Sequence, residues 1–298
     1  MEETDRKGQF FILGSASPNL LKQASETLAG RIKYIELNPF SIEEVGEGRL
    51  YDLWLKGGYP DSFLVDEDIS FEWREAYIKT FLERDLALFE YRRSASQMRR
   101  FWTMLSHLQG QTLNKAKLAG SLDSTGPTIK SFLDLMEDTF MVRVLEPWYA
   151  NLKKRLVKSP KVYIRDSGLL HSILGIESFD QLQGNPIYGA SFGGFAIEQI
   201  LNNISSKWKP SYYRSAKGEE LDFILQLREH TIAIEVKCSK APQLTKNNFN
   251  VIETVKPDYS FVLALVEESY DLSEKVSVTN ISDLIRKLKI LKSFKWNS

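Results

Sequence analysis

Two short apolar segments constrain the fold of this chain more than any other feature: Glu219-Glu220-Leu221-Asp222-Phe223-Ile224-Leu225 and Thr231-Ile232-Ala233-Ile234-Glu235-Val236-Lys237. Each reads as a β-strand whose apolar run is broken by charge. A helix near 189–205 and a strand near 210–214 come before them. A helix near 244–254 and a buried strand from Tyr259 to Val266 follow. Side chains alternate along a strand, so Glu235 and Lys237 share a face, and a hairpin of this length sets Asp222 beside Glu235. Two carboxylates with an ammonium alongside suit a hard divalent ion and an activated water. Glu198, on the preceding helix, would add a third carboxylate. The plainer alternative stays open: charges at strand ends are often surface residues, and an exposed Glu235–Lys237 pair is worth little. Against it, Ile232–Val236 is otherwise apolar.

Upstream, the pattern changes. Phe10-Phe11-Ile12-Leu13 reads as a buried strand, Pro18 opens a helix through Leu28 that Gly30 ends, and Tyr34-Ile35-Glu36-Leu37 reads as a second strand. Such a piece is too small to fold alone. Helical periodicity runs through 70–95. Three helices follow, at roughly 97–109, 114–122 and 127–138, the last opening at Pro127 after Ser124-Thr125-Gly126. Met141–Leu145 and Lys161–Ile164 read as two strands joined by a basic loop. Three helices and a hairpin make a winged helix-turn-helix, with the helix from Pro127 in the recognition position. That helix carries only Lys130 as a basic side chain, which is sparse for reading base edges. The basic loop, with Lys153, Lys154, Arg155 and Lys158, is the better candidate for phosphate contact. A helical bundle that binds protein or only links domains is the competing reading.

Composition narrows the class. Hydrophobic residues at 43% and charged at 26% exclude a mainly disordered chain. Lys+Arg and Asp+Glu balance at 39 each, so nucleic acid is expected only at a local face. Residues 66–90 hold eight acidic and three basic residues, whereas Lys153–Arg165 holds six basic and no acidic ones. The single Cys238 excludes an intramolecular disulfide and a cysteine-based zinc site. The start, MEETDRKGQFF, lacks a signal-peptide pattern, and no apolar stretch approaches the roughly 20 residues that cross a bilayer, so a cytoplasmic location with no membrane partner is expected.

The order helix, three strands, helix, strand, with Asp222 on the second strand and Glu235-Val236-Lys237 on the third, resembles the PD-(D/E)xK nuclease-like fold. That resemblance implies that Asp222 and Glu235 hold Mg²⁺ and that Lys237 orients the attacking water or stabilises phosphorane charge. Glu198 would be the helix carboxylate found in many members. The chain as a whole is similar to the C-terminal portion of a prokaryotic AAA-type ATPase with a DUF4143 region. The residues carrying this are Gly14–Leu21, Glu26–Arg31, Glu36–Ser41, Gly57-Gly58-Tyr59-Pro60, Leu82–Leu86, Asn151–Arg155, Lys161–Leu170 and Tyr213-Arg214, closed by Glu198, Asp222 and Glu235–Lys237. By the same resemblance Ser15 would be a nucleotide sensor and Arg31 an arginine-finger-like residue.

The implied architecture is α+β and multi-domain: an AAA remnant at 1–50, a helical and winged-helix domain at 51–170, and a nuclease-like domain at 171–298. The sequence departs from the family in having no G-x-x-x-x-G-K-[ST]; Gly184–Ser191 has the glycines but not the lysine. The chain alone is therefore not expected to bind or hydrolyse ATP. Gly193-Gly194, on the approach to Glu198, is a second departure and bears on nuclease competence. Three readings follow: a Mg²⁺-dependent nuclease-like module that binds DNA, a non-catalytic DNA- or protein-binding module, and an ATPase remnant. In the last, function is lost or depends on another chain that supplies the P-loop; the partners expected are DNA and a partner chain or homo-oligomer.

Overall fold

The structure is a computed structural model that describes residue 14 and residues 33–86, 94–148 and 157–293. It opens with three short helices, α1 (Ile42–Val45), α2 (Leu50–Lys56) and α3 (Pro60–Phe63). The longer α4 (Glu67–Thr80) runs into a π-helical turn over Phe81–Asp85. Next come α5 (Ala95–His107), α6 (Lys115–Ser121) and α7 (Gly126–Asp138). Ser94, Asn114 and Thr125 cap these three helices, each side chain accepting the N–H three residues on. That satisfies donors the first helical turn cannot pair internally. A two-stranded antiparallel ribbon follows, β1 (Val142–Leu145) against β2 (Lys161–Ile164).

The remainder holds α8 (Ser167–Ile173), α9 (Phe179–Gln183), α10 (Tyr188–Asn203), β3 (Lys209–Arg214), β4 (Glu220–Leu227), β5 (His230–Lys237) and α11 (Lys246–Val255). After them come β6 (Tyr259–Ala264), β7 (Tyr270–Ser273), β8 (Val276–Thr279) and α12 (Ile281–Ser293). The larger sheet has the order β3-β4-β5-β6-β8-β7. Its β3/β4, β4/β5 and β7/β8 pairs are antiparallel, while β5/β6 and β6/β8 are parallel. Twelve α-helices and two sheets among the described residues make this a mixed α/β chain.

The ribbon is shared between two cores. Val142, Val144, Val162 and Ile164 lie on one face by register and pack with Phe101, Trp102, Phe132 and Met136 of the helices. Leu145 and Tyr163, on the opposite face, belong to the core formed with α10 and the six-stranded sheet. This explains why β2 is buried along its whole length.

Two motifs far apart in sequence meet in a close backbone junction. Asp166 caps α8 by accepting the Leu169 N–H at 2.9 Å and also accepts the Gly58 N–H at 2.9 Å. A Cβ on Gly168 would lie 2.1 Å from the Lys56 carbonyl oxygen, and Gly57 has φ +78° beside the same carboxylate. Gly168 is therefore required by the approach of the Lys56 backbone, Gly57 by its positive φ and the Asp166 carboxylate, and Gly58 by the Phe40 carbonyl oxygen, 2.6 Å from where its Cβ would lie.

One sequence expectation needs correction. Tyr34–Leu37 is not a strand: it has no pairing partner among the described residues, and Ile35 and Leu37 are 74% and 93% exposed. One core draws residues from both sides of positions 50 and 170. Ile42, Leu53, Trp54, Phe63, Leu145 and Tyr163 pack with α10 and the C-terminal sheet, whereas the buried residues of the second core, from Ile78 to Leu170, all fall within 51–170. Trp54 anchors the first group, stacking on Tyr188 and donating to the Ser191 hydroxyl at 2.8 Å. The strand and helix expected at 10–28 lie outside the described residues.

Candidate functional site

The β4–β5 hairpin brings Asp222 and Glu235 together. Phe223 is registered on Ile234, so one step further along the antiparallel pair Asp222 faces Glu235. The Val236 N–H donates to Asp222 Oδ2 at 3.1 Å, fixing that carboxylate against the C-terminal end of β5. Lys237 Nζ donates to Glu235 Oε1 at 2.8 Å. Glu235 is only 7% exposed, and its Oε2 is buried without a hydrogen-bond partner; Asn248 on α11 approaches the carboxyl without meeting hydrogen-bond geometry. Burial, then the Asp222 charge, push the Glu235 carboxyl up to about 7, and Lys237 offsets only part of this. An orphaned carboxylate oxygen next to a second carboxylate is the donor set a hard divalent cation takes. The residues present therefore fit such an ion through Asp222 and Glu235.

Glu198 does not complete this pair. Among the described residues no group of three histidine, cysteine or acidic side chains is placed to hold a metal ion. Glu198 lies buried on α10 and is gripped by two arginines of the ribbon region. Arg143 bonds both its oxygens, with Nη2–Oε2 at 2.9 Å, and Arg165 Nε reaches Oε2 at 3.0 Å. Arg165 continues to Glu36 at 2.6 Å. Burial alone would raise the Glu198 carboxyl, but the two guanidiniums hold it below its ordinary value. The expected third ligand is instead the centre of a buried ion-pair chain that ties the ribbon to α10.

The expected nucleic-acid contacts fare unevenly. Lys130 is paired with Asp134 one turn further along α7, at 2.6 Å. With Asp134 and Glu137, the exposed face of this helix carries more negative than positive charge. Lys158 is exposed. Lys153, Lys154 and Arg155, like Ser15 and Arg31, lie outside the described residues.

The motif reading missed Lys161, Arg143 and Arg165. Lys161 sits at the start of β2, 2% exposed, with Nζ 2.5 Å from Glu220 and 3.3 Å from Asp222. The signal was available. Lys161, Tyr163 and Arg165 alternate with the apolar Val162 and Ile164, which places all three on the ribbon face away from the helical core.

Three family models match successive parts of the chain. Residues 1–46 match an AAA domain, 47–180 a domain of unknown function, DUF8612, and 188–284 a second such domain, DUF4143. The chain thus carries a DUF4143 region behind an AAA-domain fragment, the make-up of part of an AAA-type ATPase. Uncharacterized proteins of Mycobacterium tuberculosis and Mycobacterium bovis are each 42% identical over 271 residues, covering 90% of this chain and 61% of their own length. An uncharacterized protein of Haemophilus influenzae is 21% identical over 85% of the chain and 64% of its own length. The chain accordingly spans less than two thirds of the curated relatives it matches. Among solved structures, Can2 from Sulfobacillus thermosulfidooxidans, in complex with cyclic tetra-adenylate, aligns over 76% of this chain and 59% of its own at 14% identity. Its TM-score of 0.22 carries no structural argument. No helix among the described residues is long and apolar enough to cross a membrane.

Proposed function

We propose that this chain is a nucleic-acid-acting module of the AAA-type ATPase family, with a PD-(D/E)xK-like site for metal-dependent phosphodiester hydrolysis. The observation that carries this reading is Asp222 facing Glu235 across the hairpin, with Lys237 on the same carboxyl. Asp222 and Glu235 would hold Mg²⁺, which when bound supplies Lewis-acid stabilisation and an acidified water. The half-exposed Lys237 reaches outward from Glu235, where its ammonium can orient a water or meet phosphorane charge. The helices α5–α7 and the β1–β2 ribbon follow winged-helix order. With α7 acidic, DNA contact would run through Lys153, Lys154, Arg155 and Lys158 rather than through Lys130. Without a P-loop lysine in this sequence, nucleotide hydrolysis would need a partner chain.

A second reading, a binding module that grips DNA or protein without cutting, is favoured by the withdrawal of Glu198 into its arginine pair. Cleavage of plasmid and single-stranded DNA in Mg²⁺ or Mn²⁺ separates the two. The first expects activity in the unmodified chain that drops at least a hundredfold in both Asp222→Ala and Lys237→Ala, on the scale of losing a catalytic group. DNA retention without cleavage would establish the second.

A further inference from the structure

The ribbon delivers a cation of the protein's own to the carboxylates. Lys161 lies 61 residues before Asp222, on an element outside the nuclease-like core order, yet its ammonium is enclosed there. Glu220 Oε1 is its nearer anchor at 2.5 Å and Asp222 Oδ1 its second at 3.3 Å. The Tyr212 ring centroid is 5.3 Å away. Glu220 is held in turn by Arg214 at 2.8 Å.

The consequence follows from counting oxygens. Asp222 Oδ1 is taken by Lys161 and Oδ2 by the Val236 N–H, while Glu235 Oε1 is taken by Lys237. Only Glu235 Oε2 is unengaged. A divalent ion shared by the two carboxylates must displace the ammonium from Asp222 or bind against its charge, and in a buried site like charges repel strongly. An ammonium that is 2% exposed and anchored on Glu220 does not swing freely into water as a surface lysine would.

We propose that Lys161 is a built-in counter-ion that keeps the Asp222–Glu235 site poor in metal until the ion displaces its ammonium from Asp222. The inference rests on reading Asp222 and Glu235 as a metal site, and the test separates the two. Mn²⁺ binding to the full chain is measured by titration calorimetry for the unmodified protein, Lys161→Met, Lys161→Arg and the charge-balanced double variant Lys161→Met/Glu220→Gln. Lys161→Met and the double variant are expected to bind at least tenfold more tightly, Lys161→Arg no more tightly than the unmodified chain, and adding Asp222→Asn abolishes the gain. Equal or weaker binding by the lysine-free variants overturns the counter-ion role and leaves the metal site standing. No binding by any of them overturns both. A measurement on the unmodified chain works whether or not the variants fold: amine acetylation mapped by mass spectrometry. Lys161 should be protected without metal and labelled in saturating Mn²⁺; continued protection in a chain that has bound Mn²⁺ overturns the proposal.

Discussion

His171 shows how much one buried side chain fixes. It is fully buried, with Nδ1 2.9 Å from the Leu55 carbonyl and Nε2 2.7 Å from the Ser191 hydroxyl. A carbonyl only accepts, so Nδ1 carries the proton and Nε2 accepts from Ser191, whose oxygen accepts in turn from Trp54. The neutral ring is thus required, and burial lowers its pKa from 6.5 to about 4. The unfolded chain binds a proton that the folded chain refuses. The contribution to stability is therefore complete above about pH 6.5 and is lost as pH falls toward 4, amounting to about 3 kcal/mol. Urea unfolding across this range should show that slope, and His171→Gln should flatten it.

At the scale of elements, the helices and strands that alternate cleanly were legible in the sequence. Pro127 and the capping Thr125 place α7, and the alternation of Ile232, Ile234 and Val236 with Ala233 and Glu235 fits β5 between its neighbours. Elements defined by long-range packing were not legible. α2 is only seven residues, yet Leu53, Trp54 and Leu55 are all buried, because α10 and the sheet lie over them. β7 is exposed along its length, so it shows no burial period to read. In the site, the Asp222, Glu235 and Lys237 spacing was visible in one hairpin, whereas the partners of Glu198 and Asp222 come from the ribbon, which spacing within the hairpin cannot show. The junction of Gly57-Gly58 with Gly168 belongs to the same class and gives a direct test. Gly168→Ala must push a methyl into the Lys56 carbonyl, so a loss of about 2–4 kcal/mol in urea-measured stability is expected, with Ser167→Ala nearby costing far less.

Over the whole molecule, the two large cores share one ribbon. Val162 and Tyr163 are consecutive residues that serve different cores, and Arg143, Arg165 and Lys161 add charged ties from the same ribbon to α10 and β4. Trp54 reports on one core and Trp102 on the other. Fluorescence of single-tryptophan versions retaining one or the other should trace coincident denaturation curves. Two separated midpoints would show cores that melt independently.

The shared ribbon also bears on descent. A crossover falling after residue 170 would hand one gene a sheet stripped of the Leu145 and Tyr163 side chains that seal it, and leave the other a ribbon with those side chains bare and Arg143 and Lys161 without their acidic partners. Neither product would be a fit building block for reassortment. The stretch from α1 to α12 is thus expected to pass between genomes as one indivisible cassette, with exchange tolerated at its edges and selected against within it.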